Sequence, residues 1–352
     1  MDFLVNHPCM WTASSFASAH ECSVRLDDDA CACLLAAART GVAIANEPTA
    51  RPLVELSEAI RHELREGRGF VLIRGFPVEA WGPELARAAS HVIAGLVGEP
   101  VSQTAAGDRV VDVTDTTGLE PSPRQFKTRQ ELRLHTDPAS DLMALTCIRP
   151  AVSGGRSVLV SAPAVHNALL AEAPALLHVL YRGFHWHRFG EGRKEDPPYT
   201  EARVPVFSFT DGRLACRYVR SPIVAGHRDH ATPLTAEEVA ALDAFDRVAS
   251  SPAMRVDFAM QAGDMLIVNN LAVLHARTRF EDAETPEQRR LLLRYWLDGG
   301  PGFWPKDSRI DYFNGGRCGI PEEHSMTPGY DMKSLAADQA SGGVADLGIV
   351  PR

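Results

Sequence analysis

The sequence predicts a mostly β protein of the α+β class, built on a double-stranded β-helix (jelly roll) core decorated with helices. Three observations point there. Short strand-like runs crowd the chain after residue 110, the helical patterns lie mainly before residue 100 with isolated ones inserted later, and no regular βαβ alternation links them. That order suits two sheets packed face to face better than a parallel sheet covered by helices.

Residues 1–50 lack strong periodicity and read as an N-terminal extension. Over 53–64 apolar residues recur at helical spacing (Leu53, Leu56, Ile60, Leu64) with charges between them, which predicts an amphipathic helix. GRGFVLIRGFP at 67–77 is a short buried strand closed by Gly and Pro, and a second helix is expected over 82–96. The polar, Pro-containing stretch 117–130 reads as a loop, 162–181 as helix and 183–189 as strand. Asp211-Gly212 between alternating segments signals a hairpin within 206–220. Thr235 and Glu238 form a capping box that opens a helix running to about residue 249. Strands are expected at 254–259, 264–269 and 290–297. This divides the chain into an extension (1–50), a jelly-roll domain with N-terminal and inserted helices (51–299) and a Gly- and Pro-rich tail packed on that domain (300–352).

Composition bounds the partners. The 352 residues are 45% hydrophobic and 23% charged, ordinary for a chain that buries a core. A net charge of -9 argues against nucleic acid, which needs clustered Lys and Arg. It does not exclude a small anion, which responds to the field inside a pocket. The seven cysteines have no regular spacing and read as reduced thiols rather than a zinc site or disulfide framework. The N-terminus shows no basic segment leading into an apolar run, and no stretch approaches the roughly 18 apolar residues that span a bilayer. A cytoplasmic protein is expected, its oligomeric state left open.

The chemistry begins at His135-Thr136-Asp137. On an extended strand, residues two apart face the same way, so His135 and Asp137 can reach one metal ion. A third ligand has a candidate in His275, which follows a turn at Gly263-Asp264, an apolar strand and a short loop. Two imidazoles and one carboxylate occupy one face of an octahedron and leave three positions open. In the segment 289–297 strand parity turns Arg290 and Arg294 to the barrel interior, and Leu291, Leu293 and Tyr295 to the outside. Two inward guanidinium groups need anions. Four residues apart, they sit about 13 Å from each other, too far for one carboxylate. The pair therefore reads as one Arg for a dicarboxylate cosubstrate and one for the substrate.

Together these residues resemble the TauD/TfdA family of Fe(II)/2-oxoglutarate dioxygenases, of the clavaminate-synthase-like group. The resemblance spans about residues 69–297 and rests on GFVLIRGFP, on LHTDPASDLMALTCIRPAVSGGRSVLVSA and on the block 263–297. It implies His135, Asp137 and His275 as iron ligands and Arg290 as the grip on the distal carboxylate of 2-oxoglutarate. Ser157 falls where the family often has a Thr bonded to that carboxylate, and Arg294 where some relatives meet the substrate's acidic group. The implied reaction consumes O2 and 2-oxoglutarate, releases succinate and CO2, and oxidises a C–H bond, with hydroxylation the default outcome. The presence of Asp137 disfavours halogenation. The expected substrate is an amino acid or other small carboxylate, or a natural-product intermediate.

Other motifs carry less. His185 and His187 read as strand or pocket residues, His227 and His230 as solvated, and Arg217 and Arg220 as exposed. Two rival readings remain: a catalytically silent jelly-roll binding protein, and a metal-dependent hydrolase or isomerase on a cupin-like barrel, which would not need Arg290.

Overall fold

In the structure, a computed structural model, strand after strand of the apolar runs pairs into two facing sheets. It describes residues 3–17, 19–40, 51–120, 123–193, 195–230, 232–314 and 317–321. The strands are β1 (Ser23–Arg25), β2 (Phe70–Arg74), β3 (Glu99–Val101), β4 (Val111–Val113), β5 (Leu132–His135), β6 (Leu142–Arg149), β7 (Ser153–Gly154) and β8 (Ser157–Ser161). They continue as β9 (Phe207–Thr210), β10 (Arg213–Cys216), β11 (Arg255–Phe258), β12 (Met265–Asn269), β13 (Val273–Arg277), β14 (Phe280–Glu281) and β15 (Leu291–Asp298). The helices are α1 (Asp28–Thr40), α2 (Arg51–Arg65), α3 (Val78–Val97), α4 (Ala162–Glu172), α5 (Pro174–Arg182), α6 (Arg220–Asp229) and α7 (Ala236–Ala249).

One sheet has seven strands in the order β1-β2-β12-β6-β15-β3, with β4 also on β15, and the other has four in the order β11-β8-β13-β5. Leu159 of β8 and Val256 and Phe258 of β11 share one apolar cluster with Leu72, Leu266 and Trp296 of the larger sheet, so the core lies between the two. Helices α2 and α3 cover the outside of the larger sheet, on β2 and β12 and on β6 and β15 respectively. A second cluster joins Val160 and Leu274, from the other face of β8 and β13, to α4, α5 and α7. This is the jelly roll with added helices that the sequence predicts. Strand parity makes it work: alternate residues of β8 and β13 serve two different cores.

Several local expectations need revision. The described residues among the first forty are knitted into the fold: β1 pairs in parallel with β2, Cys9 and Trp11 are buried, and the Trp11 indole donates to the Arg68 carbonyl at 2.8 Å. Helix α3 begins four residues earlier than expected and bends at Gly82, where φ is 75° ahead of Pro83. Residues 162–181 form two helices, because Pro174 cannot continue α4. No strand forms over 183–189; only isolated bridges at Phe184 and His187 survive, and the chain turns at Phe189 and Gly190, both in the left-handed region. The hairpin is present, with Asp211 and Gly212 at φ 49° and 78° in its turn. So is the Thr235 capping box. The tail carries buried apolar anchors at Phe303, Trp304, Ile310 and Ile320; residues 322–352 lie outside the described residues. Among the described residues no helix is long and apolar enough to cross a membrane.

Candidate metal centre

Strands β5 and β13 run antiparallel with His275 directly opposite His135, which brings the two rings to 4.3 Å between centroids. Asp137 follows two residues after His135, and one ligand atom from each of His135, Asp137 and His275 lies within 4.8 Å of the others. His275 follows the short loop as expected and stands in the middle of β13. The turn before it is tighter than the sequence suggests: Asn269 caps it, its side chain accepting from the Leu271 amide at 3.0 Å.

The ring of His135 is oriented by its own strand. Its Nδ1–H donates to the Arg133 carbonyl at 2.8 Å, and since a carbonyl only accepts, the lone pair sits on Nε2. Burial and the neighbouring His275 hold the His135 pKa down to about 4, so the ring is neutral at physiological pH. Burial alone would raise the Asp137 carboxyl; the His275 ring and the Arg294 guanidinium outweigh it and keep it ionised. Asp137 Oδ2 lies 3.5 Å from His275 Nε2 and is otherwise without a hydrogen-bond partner, and His275 Nδ1 has none. A buried, ionised carboxylate oxygen left open between two imidazoles fits a divalent cation.

The peptide of Asp137 is clamped. Its N–H donates to Asn270 Oδ1 at 2.8 Å, and its carbonyl accepts from Asn270 Nδ2 at 2.8 Å and from Arg217 Nη1 at 2.9 Å. Sequence reasoning missed both partners. Asn270 shows no motif, and Arg217, read as exposed, is only 1% exposed.

Both inward arginines are buried. Arg294 lies 3.7 Å from Asp137, donates to Gln103 at 2.8 Å, and is held between the Phe126 and Trp296 rings at 4.4 and 5.1 Å. Arg290 packs over Phe280 at 5.3 Å, and its Nη1 is buried without a partner. Burial pushes its pKa down to about 10. Gly155, at φ 63°, lies beside Arg290, where a Cβ would be in ordinary contact with its Nε at 3.5 Å. Ser157 is buried at the start of β8, opposite Arg277 of β13. That register turns the Ser157 side chain to the same interior face as His275 and Arg277.

Arg277 is a third buried guanidinium, pushed down to about 9 by burial and by the like charge of Arg290. It donates to the Phe126, Thr128 and Gln130 carbonyls at 3.1, 2.7 and 2.6 Å, and so fixes the loop that carries Phe126 to Arg294. Placing His275 on a strand would have revealed it, since Arg277 is two residues on. Across the same loop Arg124 forms an ion pair with Glu191, which is buried just after the Phe189-Gly190 turn. The other histidines gather elsewhere. His185 stacks on His230 at 4.0 Å, and His227, expected in solvent, is buried in α6. His187 pairs with Asp229 at 3.3 Å.

A family model described as "Taurine catabolism dioxygenase TauD, TfdA family" matches residues 42–296. The chain belongs to the TauD/TfdA family. As such it is a 2-oxoglutarate-dependent dioxygenase whose cofactors are Fe(II) and 2-oxoglutarate. FR-33289 synthase of Streptomyces rubellomurinus is 34% identical to this TauD/TfdA protein over 246 residues, covering 67% of this chain and 70% of the relative. A uridine-5'-phosphate dioxygenase of a Streptomyces species is 35% identical over 157 residues, 43% of this chain and 53% of that one. Among solved structures, asparagine oxygenase in complex with Fe(II), 2S,3S-3-hydroxyasparagine and succinate matches with a TM-score of 0.59 at 18% identity, covering 79% of this chain and 94% of its own. At that identity the likeness is one of fold.

Proposed function

We propose that this dioxygenase hydroxylates a C–H bond of a small, anionic substrate, with His135, Asp137 and His275 holding Fe(II), Arg290 and Ser157 receiving the distal carboxylate of 2-oxoglutarate, and Arg294 facing the acidic group of the substrate. The observation that carries the reading is the pair of buried orphans on one interior surface: Asp137 Oδ2 between two imidazoles, and Arg290 Nη1 with no anion. A cation answers the first and a carboxylate the second. Two separate buried charges of opposite sign are costly together unless a ligand set meets both. A silent binding protein needs neither, and a hydrolase does not need Arg290.

When bound, iron and 2-oxoglutarate supply the oxidation, with succinate and CO2 as the cosubstrate's products. The protein's own part is positioning and exclusion of water. Arg133 O fixes the His135 tautomer, and Asn270 and Arg217 hold the Asp137 peptide so that the carboxylate has one presentation. Phe126 and Trp296 shield Arg294 from water, which strengthens its attraction for a substrate anion. The Arg124–Glu191 pair joins two loops beside it. Anionic groups recur in the molecules that relatives name, a nucleotide phosphate in one and an amino acid in another, which supports an anion at Arg294.

Anaerobic addition of Fe(II) and 2-oxoglutarate should give a weak visible charge-transfer band, and His135→Ala, Asp137→Ala and His275→Ala should each abolish it. Full iron affinity in any one variant would remove that residue from the ligand set.

A further inference from the structure

We propose that the segment after β15, residues 301–314 and 317–321, is a strap that positions the Asp137 carboxylate, acting through Arg217, Lys306 and Gly319 on the turn from Asp137 to Asp141. The inference rests on the reading of Asp137 as an iron ligand.

Three contacts from this segment converge on five residues. Asp311 pairs at 3.3 Å with Arg217, which in turn donates to the Asp137 carbonyl at 2.9 Å. Lys306 bridges Asp141 at 2.5 Å and Asp311 at 2.7 Å. The Gly319 amide donates to the Ala139 carbonyl at 2.7 Å. Gly319 itself has φ 85°, and a Cβ there would come within 3.0 Å of Val101, so glycine lets the strap lie this close. Trp304, buried with its indole on the Leu214 carbonyl at 3.0 Å, and the Asp307 amide, which donates to Ser208 Oγ at 3.3 Å, fasten the segment to the hairpin that leads into Arg217.

The charges form a chain: Arg217, Asp311, Lys306, Asp141. Arg217 is almost wholly buried, and a buried guanidinium persists only where it is paired. Its partner comes from the strap. Removing Asp311 or Lys306 frees the turn at one end and loosens the carbonyl clamp on Asp137. Asn270 still holds the peptide from the other side, so the effect falls on the precision of the carboxylate and not on its presence. The grouping of Asp141, Asp298 and Cys318 has metal-like spacing, but Asp141 is already paired with Lys306 of the strap. The segment lies beyond residue 296, where the family match ends.

The test measures metal binding, not turnover. Full-length apo protein is titrated with Co(II) by calorimetry and visible spectroscopy, in the wild type, Asp311→Asn, Lys306→Met and Lys306→Arg. Asp307→Asn is the control, because Asp307 lies in the same segment and its carboxylate pairs only with Arg309 at the surface. Outer partners of metal ligands are typically worth about 10- to 100-fold in affinity. Asp311→Asn and Lys306→Met should bind Co(II) about tenfold more weakly or worse, with a shifted d–d spectrum, and Lys306→Arg should restore both. If Asp311→Asn does not fold, Lys306→Met decides, since it leaves Arg217 paired. Wild-type affinity and spectrum in a folded Lys306→Met would overturn the proposal, as would an equal loss in Asp307→Asn. His275→Ala separates the two readings: if it binds Co(II) like the wild type, the ligand assignment fails, whereas loss there with intact strap variants refutes only the strap.

Discussion

Replacing Arg290 with Ala should leave the ligand-free protein about as stable as before and yet nearly abolish its response to 2-oxoglutarate. The guanidinium is buried with Nη1 unpaired, and its fall from 12.5 to about 10 corresponds, at about 1.4 kcal/mol per unit, to a cost on the order of 3 kcal/mol for keeping it charged. Ala removes that cost. It also removes two methylenes, at about 0.8 kcal/mol each, and a cation–π contact with Phe280 of about 1 kcal/mol. The sum lies near zero, unlike the loss of about 2–5 kcal/mol typical of large-to-small core changes. With cosubstrate present the comparison reverses. Removing one partner of a buried ion pair costs about 3–5 kcal/mol, or about two to three and a half orders of magnitude in affinity. Thermal unfolding and calorimetry with Mn(II) in place of iron, with and without 2-oxoglutarate, read both effects. Arg290→Lys keeps the charge but loses the forked geometry, and should fall between. Arg289 is half-buried and donates to the Asp115 carbonyl at 2.8 Å, so Arg289→Ala should change 2-oxoglutarate affinity little. The reasoning is refuted if Arg290→Ala keeps its cosubstrate affinity or if Arg289→Ala is the more damaging.

Two further outcomes follow from the same site. Arg294→Gln should cut coupled product formation while sparing 2-oxoglutarate affinity and some uncoupled succinate release; a protein that instead fails to fold would show that Arg294 serves Asp137 and Gln103 structurally. Acid should weaken the apo protein well before its carboxylates titrate. His135 is held down from 6.5 to about 4 in the fold, so the unfolded chain takes up its proton first as pH falls, and stability is lost from about pH 6.5 downward, by roughly 2 kcal/mol at pH 5. Asp137, held low, contributes stability that persists through this window and is lost only at more acid pH. Urea midpoints at pH 7.5 and 5 measure the loss. A His135→Ala variant should lose less than the wild type, and an equal loss in both would exclude His135 as the source.

Much of the fold was legible because its elements bury one face at a regular period. The helix at 53–64, the Asp211-Gly212 hairpin, the Thr235 capping box and the strand after Arg290 are each written in a few local residues. What escaped was set by tertiary context. The stretch 183–189 has a strand's composition, but Phe189 and Gly190 take left-handed backbone and end it in a turn. The first forty residues look unpatterned because their anchors, such as Cys9 and Trp11, fill holes in a core built by other segments.

The candidate site divides the same way. Parity turned Arg290 and Arg294 inward, since a period of two needs no knowledge of neighbours; His135 and Asp137 do come together, but not by strand parity, because the strand stops at His135. Gln103, Asn270 and Arg217 act through hydrogen bonds to groups between 80 and 191 residues away in sequence, and nothing local marks them. Their chemistry explains why they are needed. A strand can aim a carboxylate, but it cannot stop the peptide behind it from rotating once the strand ends, and β5 ends at His135, two residues short of Asp137. The clamp begins where the ladder stops. Asn270 takes the Asp137 amide and carbonyl, Arg217 takes the carbonyl again, and the strap secures Arg217. The proposed ligand that backbone pairing does not hold is thus the one that buried side chains surround.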